Sequence, residues 1–297
     1  MKIGIFDSGL GGLIIAKAIM KELPAYDYIY LGDTKNLPYG EKRPEKIYRY
    51  TQKAVDFLFA NDCQLIIVAC NTSSALALRK IQQQYLPKKY PDRRVLGVII
   101  PTLESIFPSP IHGEGLRERL KIGVIGTKAT ISSHIYKKEL QKINHKAKIY
   151  ELATPDLVRL IEQNALPKAE NRLKLYLKPL QKQGIEALIL GCTHYPILKK
   201  AAKRILGPKV AIVSQHEIIP NKLANYLKRH SEISYQLTKN HQRQFFVTKM
   251  GKNFEAVAKR LLGKKTDFKL VNIDTFIQSC MNVSVIHAGL AHLARLR

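Results

Sequence analysis

A two-domain α/β fold, each domain doubly wound around a mainly parallel sheet with the active site in the interdomain cleft, is predicted by three features of this 297-residue chain. First, short apolar runs alternate with helix-length segments, the pattern of parallel strands covered by helices. Second, IIVACNT at 66–72 and LILGCTH at 188–194 each run from β-branched and leucine residues into one cysteine followed by a threonine. Third, KIGIFDSG at 2–9 and KIGVIGTK at 121–128 are offset by 119 positions, close to the 122 that separate Cys70 from Cys192. Similar offsets from unrelated motifs imply one α/β unit present twice, with a thiol at the same strand end in each copy. A pocket between two such units faces a thiol from either side, a geometry suited to taking a proton from one face of a carbon and returning it to the other.

The elements follow in order. KIGIF (2–6) reads as a strand, 13–23 as a helix ending before Pro24, and YDYIYLGD (26–33) as a strand. Helical spacing runs from Pro44 through Phe59, then a strand over 64–69. VLGVII (95–100) is expected to be a strand running into Pro101, where the chain crosses to the second unit. There KIGVIG (121–126) is followed by a helix over 132–144, a strand over 148–152, helices over 155–163 and 169–183, a strand over 187–190 and a helix over 197–206. VAIVS (210–214) is then expected to re-enter the first domain. The predicted division is 1–98 plus 212–297 for the first domain and 99–211 for the second. The tail IHAGLAHLARLR (286–297) has helical apolar spacing and reads as a terminal helix packed on the body.

Composition narrows the class. Apolar content of 45% with 24% charged residues is globular. No apolar run approaches the ~20 residues of a membrane span, and Asp7 with the glycines at 4, 9, 11 and 12 argues against a signal peptide. Four sparse cysteines without CxxC or metal-ligand spacing fit a reducing cytoplasm, the expected location. Cys63 and Cys280 read as packing residues. Lys and Arg number 49 against 23 acidic residues, a formal +26. The cations are scattered in pairs such as Lys199-Lys200 and Lys264-Lys265, with no RNA-binding aromatic signature and no helix-turn-helix. Nucleic-acid binding has no support beyond the net charge, and the basic surface reads mainly as a solvated one.

In parallel sheets ligands gather at the carboxyl ends of strands. Asp7-Ser8, Cys70, Gly126-Thr127 and Cys192 all fall there. Asp7-Ser8-Gly9 fits neither GxGxxG nor the Walker pattern; it reads equally as a helix cap or as a catalytic segment. Pro38-Tyr39-Gly40 reads first as a turn, placed to form one wall of a pocket. A lone buried cysteine is usually inert packing, but two thiols at matched strand ends, each opening a helix whose free N–H groups favour a thiolate, point to chemistry. His194 is placed as a proton partner of Cys192. These segments rely on no arginine fork or Schiff-base lysine, so a small anion falls to backbone N–H groups and to Ser8, Asn71, Thr72, Thr127, Thr130 and Thr193. Nothing points to a dinucleotide, pyridoxal or metal site.

Taken together, Asp7-Ser8-Gly9, GDTKNLPYGEKRPEKI (32–47), VACNTSSA (68–75), GTKAT (126–130), LGCTHYPIL (190–198) and FFVTKMGKNF (245–254) resemble the glutamate racemases in the order expected of that family, over roughly residues 1–273. The resemblance implies a cofactor-independent enzyme that interconverts L- and D-glutamate for peptidoglycan synthesis, usually as a homodimer. It assigns Cys70 to the D-face and Cys192 to the L-face as acid/base groups, with Asp7 assisting the first and His194 the second. It implies that Ser8, Pro38, Tyr39, Gly40, Asn71, Thr72, Thr127, Thr130 and Thr193 line the substrate site and that Glu162 supports it. Three departures stand out: Thr154 where the family often has cysteine, Arg159 where proline is usual, and VAIVSQHE (210–217) without the Asp-Ser-Gly often found there. Within the class, aspartate is the alternative substrate; outside it, the rival is a nucleic-acid-binding protein on a racemase-like scaffold.

Overall fold

The computed structural model describes residues 1–107 and 120–278. Cys280 and the 286–297 tail therefore lie outside the described residues. Among the described residues, ten strands form two sheets. β1 (Lys2–Asp7), β2 (Tyr28–Gly32), β3 (Cys63–Val68), β4 (Arg94–Gly97), β9 (Arg243–Val247) and β10 (Lys269–Leu270) form the first, in the order β10-β9-β2-β1-β3-β4. β5 (Lys121–Gly126), β6 (Lys148–Ala153), β7 (Ala187–Gly191) and β8 (Ala211–Val213) form the second, in the order β6-β5-β7-β8. Every pairing is parallel. The run β2-β1-β3-β4 has the same order as β6-β5-β7-β8, so the repeat read from the two cysteine segments is a repeat of topology.

The strands carry almost unbroken apolar runs because both faces are covered. On β1, Ile3 and Ile5 face one core and Phe6 the other; on β7, Leu188 and Leu190 face one core and Ile189 the other. Each such side chain, removed wholly from water, contributes about 1.5–3 kcal/mol. The first sheet is wider because Arg243–Val247, unassigned from the sequence, supplies β9 alongside β2, with β10 beyond it.

Several boundaries differ from expectation. The strand over 95–100 ends at Gly97; a helix, Ile99–Ile106, begins at once with Pro101 in its first turn, where a missing N–H costs nothing. The helix expected over 132–144 is broken by His134 in the left-handed region, leaving Lys128–Ser132 and Ile135–Ile143. VAIVS does not re-enter the first domain. Ala211–Val213 pairs with Ala187–Ile189 at the edge of the second sheet, and the return crossing is made by the helix Gln215–Arg229. Ile219, Leu223 and Leu227 of that helix pack into the first core. A three-residue apolar strand looks the same whichever sheet receives it; its partner strand decides.

Candidate active site

The two cysteines end equivalent strands. Cys70 follows β3 and caps the helix Asn71–Leu76, its sulfur accepting from Ser73 N at 3.5 Å. Cys192 follows β7 directly. Both line one cavity where the carboxyl ends of the two sheets meet, together with Ser8, Asn71, Thr193 and His194. Pro38, Tyr39 and Gly40 form another wall, and Thr72 and Thr127 a third. None of the lining residues is lysine or arginine. The cavity holds only about 20 Å³, room for a water and too little for an amino acid. An amino acid fits there only if the lining moves apart.

Glycines permit that close fit. A Cβ at Gly11 would lie 2.6 Å from His194 Nδ1 and from Thr193 Oγ1, across the domain boundary. One at Gly40 would overlap the Thr127 side chain, also across the boundary. Gly11 was not a sequence candidate; its requirement comes from a loop nearly two hundred positions away.

Three sequence candidates stand behind the cavity wall. Asp7 is fully buried; its Oδ2 accepts from Gly9 N at 3.1 Å and Gly12 N at 3.0 Å, and its Oδ1 from Thr193 Oγ1 at 3.2 Å. The capping and site readings of Asp7 thus coexist, since it serves the first turn of the helix Gly12–Glu22 and reaches across to the Cys192 loop. Burial pushes its carboxyl up, against the opposing effects of His194 and the Gly12 and Gly9 N–H groups. Thr130 closes a triangle of hydroxyls with Thr72 and Thr127, with edges of 2.9–3.2 Å. Glu162 Oε1 lies 2.7 Å from His194 Nε2.

The two thiols sit in different electrostatic settings. The Cys70 thiol donates to Ser8 Oγ at 3.3 Å. Burial pushes it above the ordinary thiol range and the Asp7 charge adds to that, while Ser8 and Ser73 pull the other way. At Cys70 desolvation and the Asp7 charge outweigh the hydrogen bonds from Ser8 and Ser73, so the thiol is raised despite its place at a helix start. Cys192 Sγ lies 3.8 Å from His194 Nδ1. Burial alone would push His194 down, but Cys192 and Glu162 together hold the imidazole well above its usual range. Burial likewise raises Glu162, and the hydrogen bond and charge of His194 outweigh it, leaving Glu162 below the ordinary carboxylate range.

Some participants carry no motif. Leu37 and Val158 supply apolar wall. Tyr136 and Gln215 stand behind Asn71. Thr154, in the place of a common family cysteine, bonds Tyr195 Oη at 2.6 Å and thereby braces the segment after Cys192. Arg159 sits on the helix Leu157–Glu162, which forms without the expected proline. Cys63 is buried in the first domain's core, its thiol pushed up to about 12 by burial, as befits a packing residue. Among the described residues, no group of three or more His, Cys, Asp or Glu is placed to hold a metal ion, and no helix is long and apolar enough to cross a membrane.

Known proteins align with this architecture. A family model described as Asp/Glu/Hydantoin racemase matches residues 14–218. A glutamate racemase of Geobacter metallireducens is 36% identical over 265 residues, covering 89% of this chain and 93% of that protein. A crystal structure of glutamate racemase from Francisella tularensis in complex with D-glutamate superposes with a TM-score of 0.80 at 32% identity, covering 92% of this chain and 98% of that one. A Bacillus anthracis glutamate racemase isoform gives 0.79 at 34% identity, with 91% and 97% coverage. With matched sheets, paired strand-end thiols and similarity along nearly its whole length, the chain belongs to the Asp/Glu/Hydantoin racemase family, among its glutamate racemases.

Proposed function

We propose that the cleft interconverts L- and D-glutamate with two thiols, Cys70 and Cys192, acting on opposite faces of the α-carbon. The observation that carries this reading is a single cavity lined by both cysteines, each at the end of an equivalent strand. In the L-to-D direction, Cys192 as thiolate takes the α-proton; the C–H pair stays on the carbon and spreads into the α-carboxylate. The Cys70 thiol then gives its proton to the other face and is left as thiolate. The reverse reaction exchanges the roles. Burial and the Asp7 charge favour the neutral thiol at Cys70, while Cys192 faces His194, whose Nε2 is paired with Glu162.

The α-hydrogen of an amino acid is a weak acid, so the carbanion-like charge needs fixed partners in a dry site. Ser8, Asn71, Thr72, Thr127, Thr130 and Thr193 supply hydroxyl and amide donors, directly or through one another, and the closed cleft excludes bulk water. Asp7 fixes Thr193 and the Ser8 loop, and its charge disfavours a second anion at Cys70. D-glutamate, the ligand of the Francisella relative, is the substrate class we assign here, with peptidoglycan synthesis as its use. The rest of the reading is two domains, 1–98 with 214–278 and 99–107 with 120–213 among the described residues, in a cytoplasmic homodimer. The basic surface plays no part in it.

Incubation with L-glutamate in deuterated water tests the reaction: D-glutamate carrying α-deuterium is expected, with L-aspartate turned over far more slowly. Faster turnover of aspartate, or product formed without α-deuterium, overturns it.

A further inference from the structure

Behind the cleft wall three buried polar side chains close into a ring. Asn71 Nδ2 donates to Gln215 Oε1 at 2.8 Å, and Gln215 Nε2 donates back to Asn71 Oδ1 at 2.9 Å. Tyr136 Oη donates to the same Oδ1 at 2.6 Å and accepts from Gln215 Nε2 at 3.3 Å. The three side chains come from separate parts of the molecule. Asn71 opens the helix after Cys70, Tyr136 lies on the second-domain helix Ile135–Ile143, and Gln215 begins the helix that returns to the first domain. None is more than 2% exposed.

A carboxamide offers two N–H donors and an oxygen with two lone pairs. At Asn71 both lone pairs are taken, by Gln215 and Tyr136, and one N–H is taken by Gln215. One N–H remains, on a residue that lines the cleft. We propose that Gln215, with Tyr136, is a positioning residue that locks the Asn71 carboxamide so that its remaining N–H is offered to a carboxylate of the bound amino acid. The inference rests on the reading of the cleft as a glutamate site. Gln215 suits the task because its own amide is the donor-and-acceptor complement of Asn71. Without it, Asn71 is free to turn end for end and present its oxygen, which repels a carboxylate.

Gln215→Met tests the lock, since it fills the space with neither donor nor acceptor. The expected result is a KM about tenfold higher for both enantiomers with kcat within about twofold. A purely structural role would lower the melting temperature and the active fraction and leave KM in place. Tyr136→Phe, which removes one donor to the same oxygen, is expected to raise KM about threefold, and the double variant less than the product of the two. A folded Gln215→Met chain with unchanged KM overturns the proposal. If that variant does not fold, unchanged KM in Tyr136→Phe overturns it instead. An unsubstituted chain that neither binds nor turns over glutamate overturns the substrate reading and this inference together; normal turnover beside an unaffected Gln215→Met chain overturns the role of Gln215 alone.

Discussion

The first domain presents its thiol to hydroxyls and a carboxylate, the second to an imidazole backed by a carboxylate. Cys70 has Ser8 and Ser73 as partners and Asp7 as a nearby negative charge. Cys192 has His194, which is tied to Glu162. The supporting strands have the same order in both sheets. One topology thus carries two thiols whose surroundings differ in the sign of the nearest charge. A two-base racemase benefits from that inequality, because it needs one thiol protonated while the other is ionised.

The largest expected effect falls on the thiols themselves. Cys70→Ser and Cys192→Ser should each lower racemisation by about 10²–10⁴-fold, measured by polarimetry, since a serine hydroxyl is a far poorer proton carrier at neutral pH. A variant that keeps full turnover with either sulfur gone would break the comparison outright.

His194→Asn sharpens it. Hydrogen bonds to charged groups contribute about 1.5–3 kcal/mol, so kcat/KM should fall roughly ten- to 150-fold. Mirror-image substrates have an equilibrium constant of one, which forces the fall to be equal in both directions. The asymmetry should appear instead in the isotope effect on kcat/KM: larger for α-deuterated L-glutamate, smaller for the D-enantiomer. Equal changes would mean that His194 serves both faces.

Ser8→Ala removes the side-chain partner of Cys70, a neutral bond contributing about 0.5–1.5 kcal/mol, so a loss of about two- to tenfold is expected, with the isotope-effect pattern reversed.

The smallest effect is on stability. Glu162 is held below its ordinary value of 4.5, so its contribution is present above that pH and is lost as pH falls through the lowered value. His194 is raised above 6.5, so its contribution is complete below that pH and is lost as pH climbs through the raised value. Both contribute in full only between pH 4.5 and 6.5, and each declines gradually beyond. Glu162→Gln should lower the melting temperature most in that window and flatten its decline on the alkaline side, as read by thermal melts from pH 4 to 9. A uniform drop at every pH would remove the ion pair from the account.

The sheets and their strand-end thiols were legible because apolar runs, punctuated by glycine and repeated at nearly one offset, are local signals. Eleven of the fourteen candidate residues line the cavity; Asp7, Thr130 and Glu162 stand one layer behind it. What escaped detection was set by distant partners. Gln215 acts through Asn71, 144 positions away, and Gly11 matters because of Thr193 and His194. The strand β8 carried no mark of which sheet would receive it. The upward shift of the Cys70 thiol has a related source: its position at a helix start is written in the sequence, but the depth of its burial belongs to the folded molecule.

The tightness of the two glycine contacts has a kinetic corollary. A chamber of about 20 Å³ takes in an amino acid only if its lining moves apart, and with it Gly11 and Gly40 from the loops opposite. If that displacement sets the pace, kcat/KM falls as sucrose thickens the medium; turnover indifferent to viscosity places the limit in chemistry.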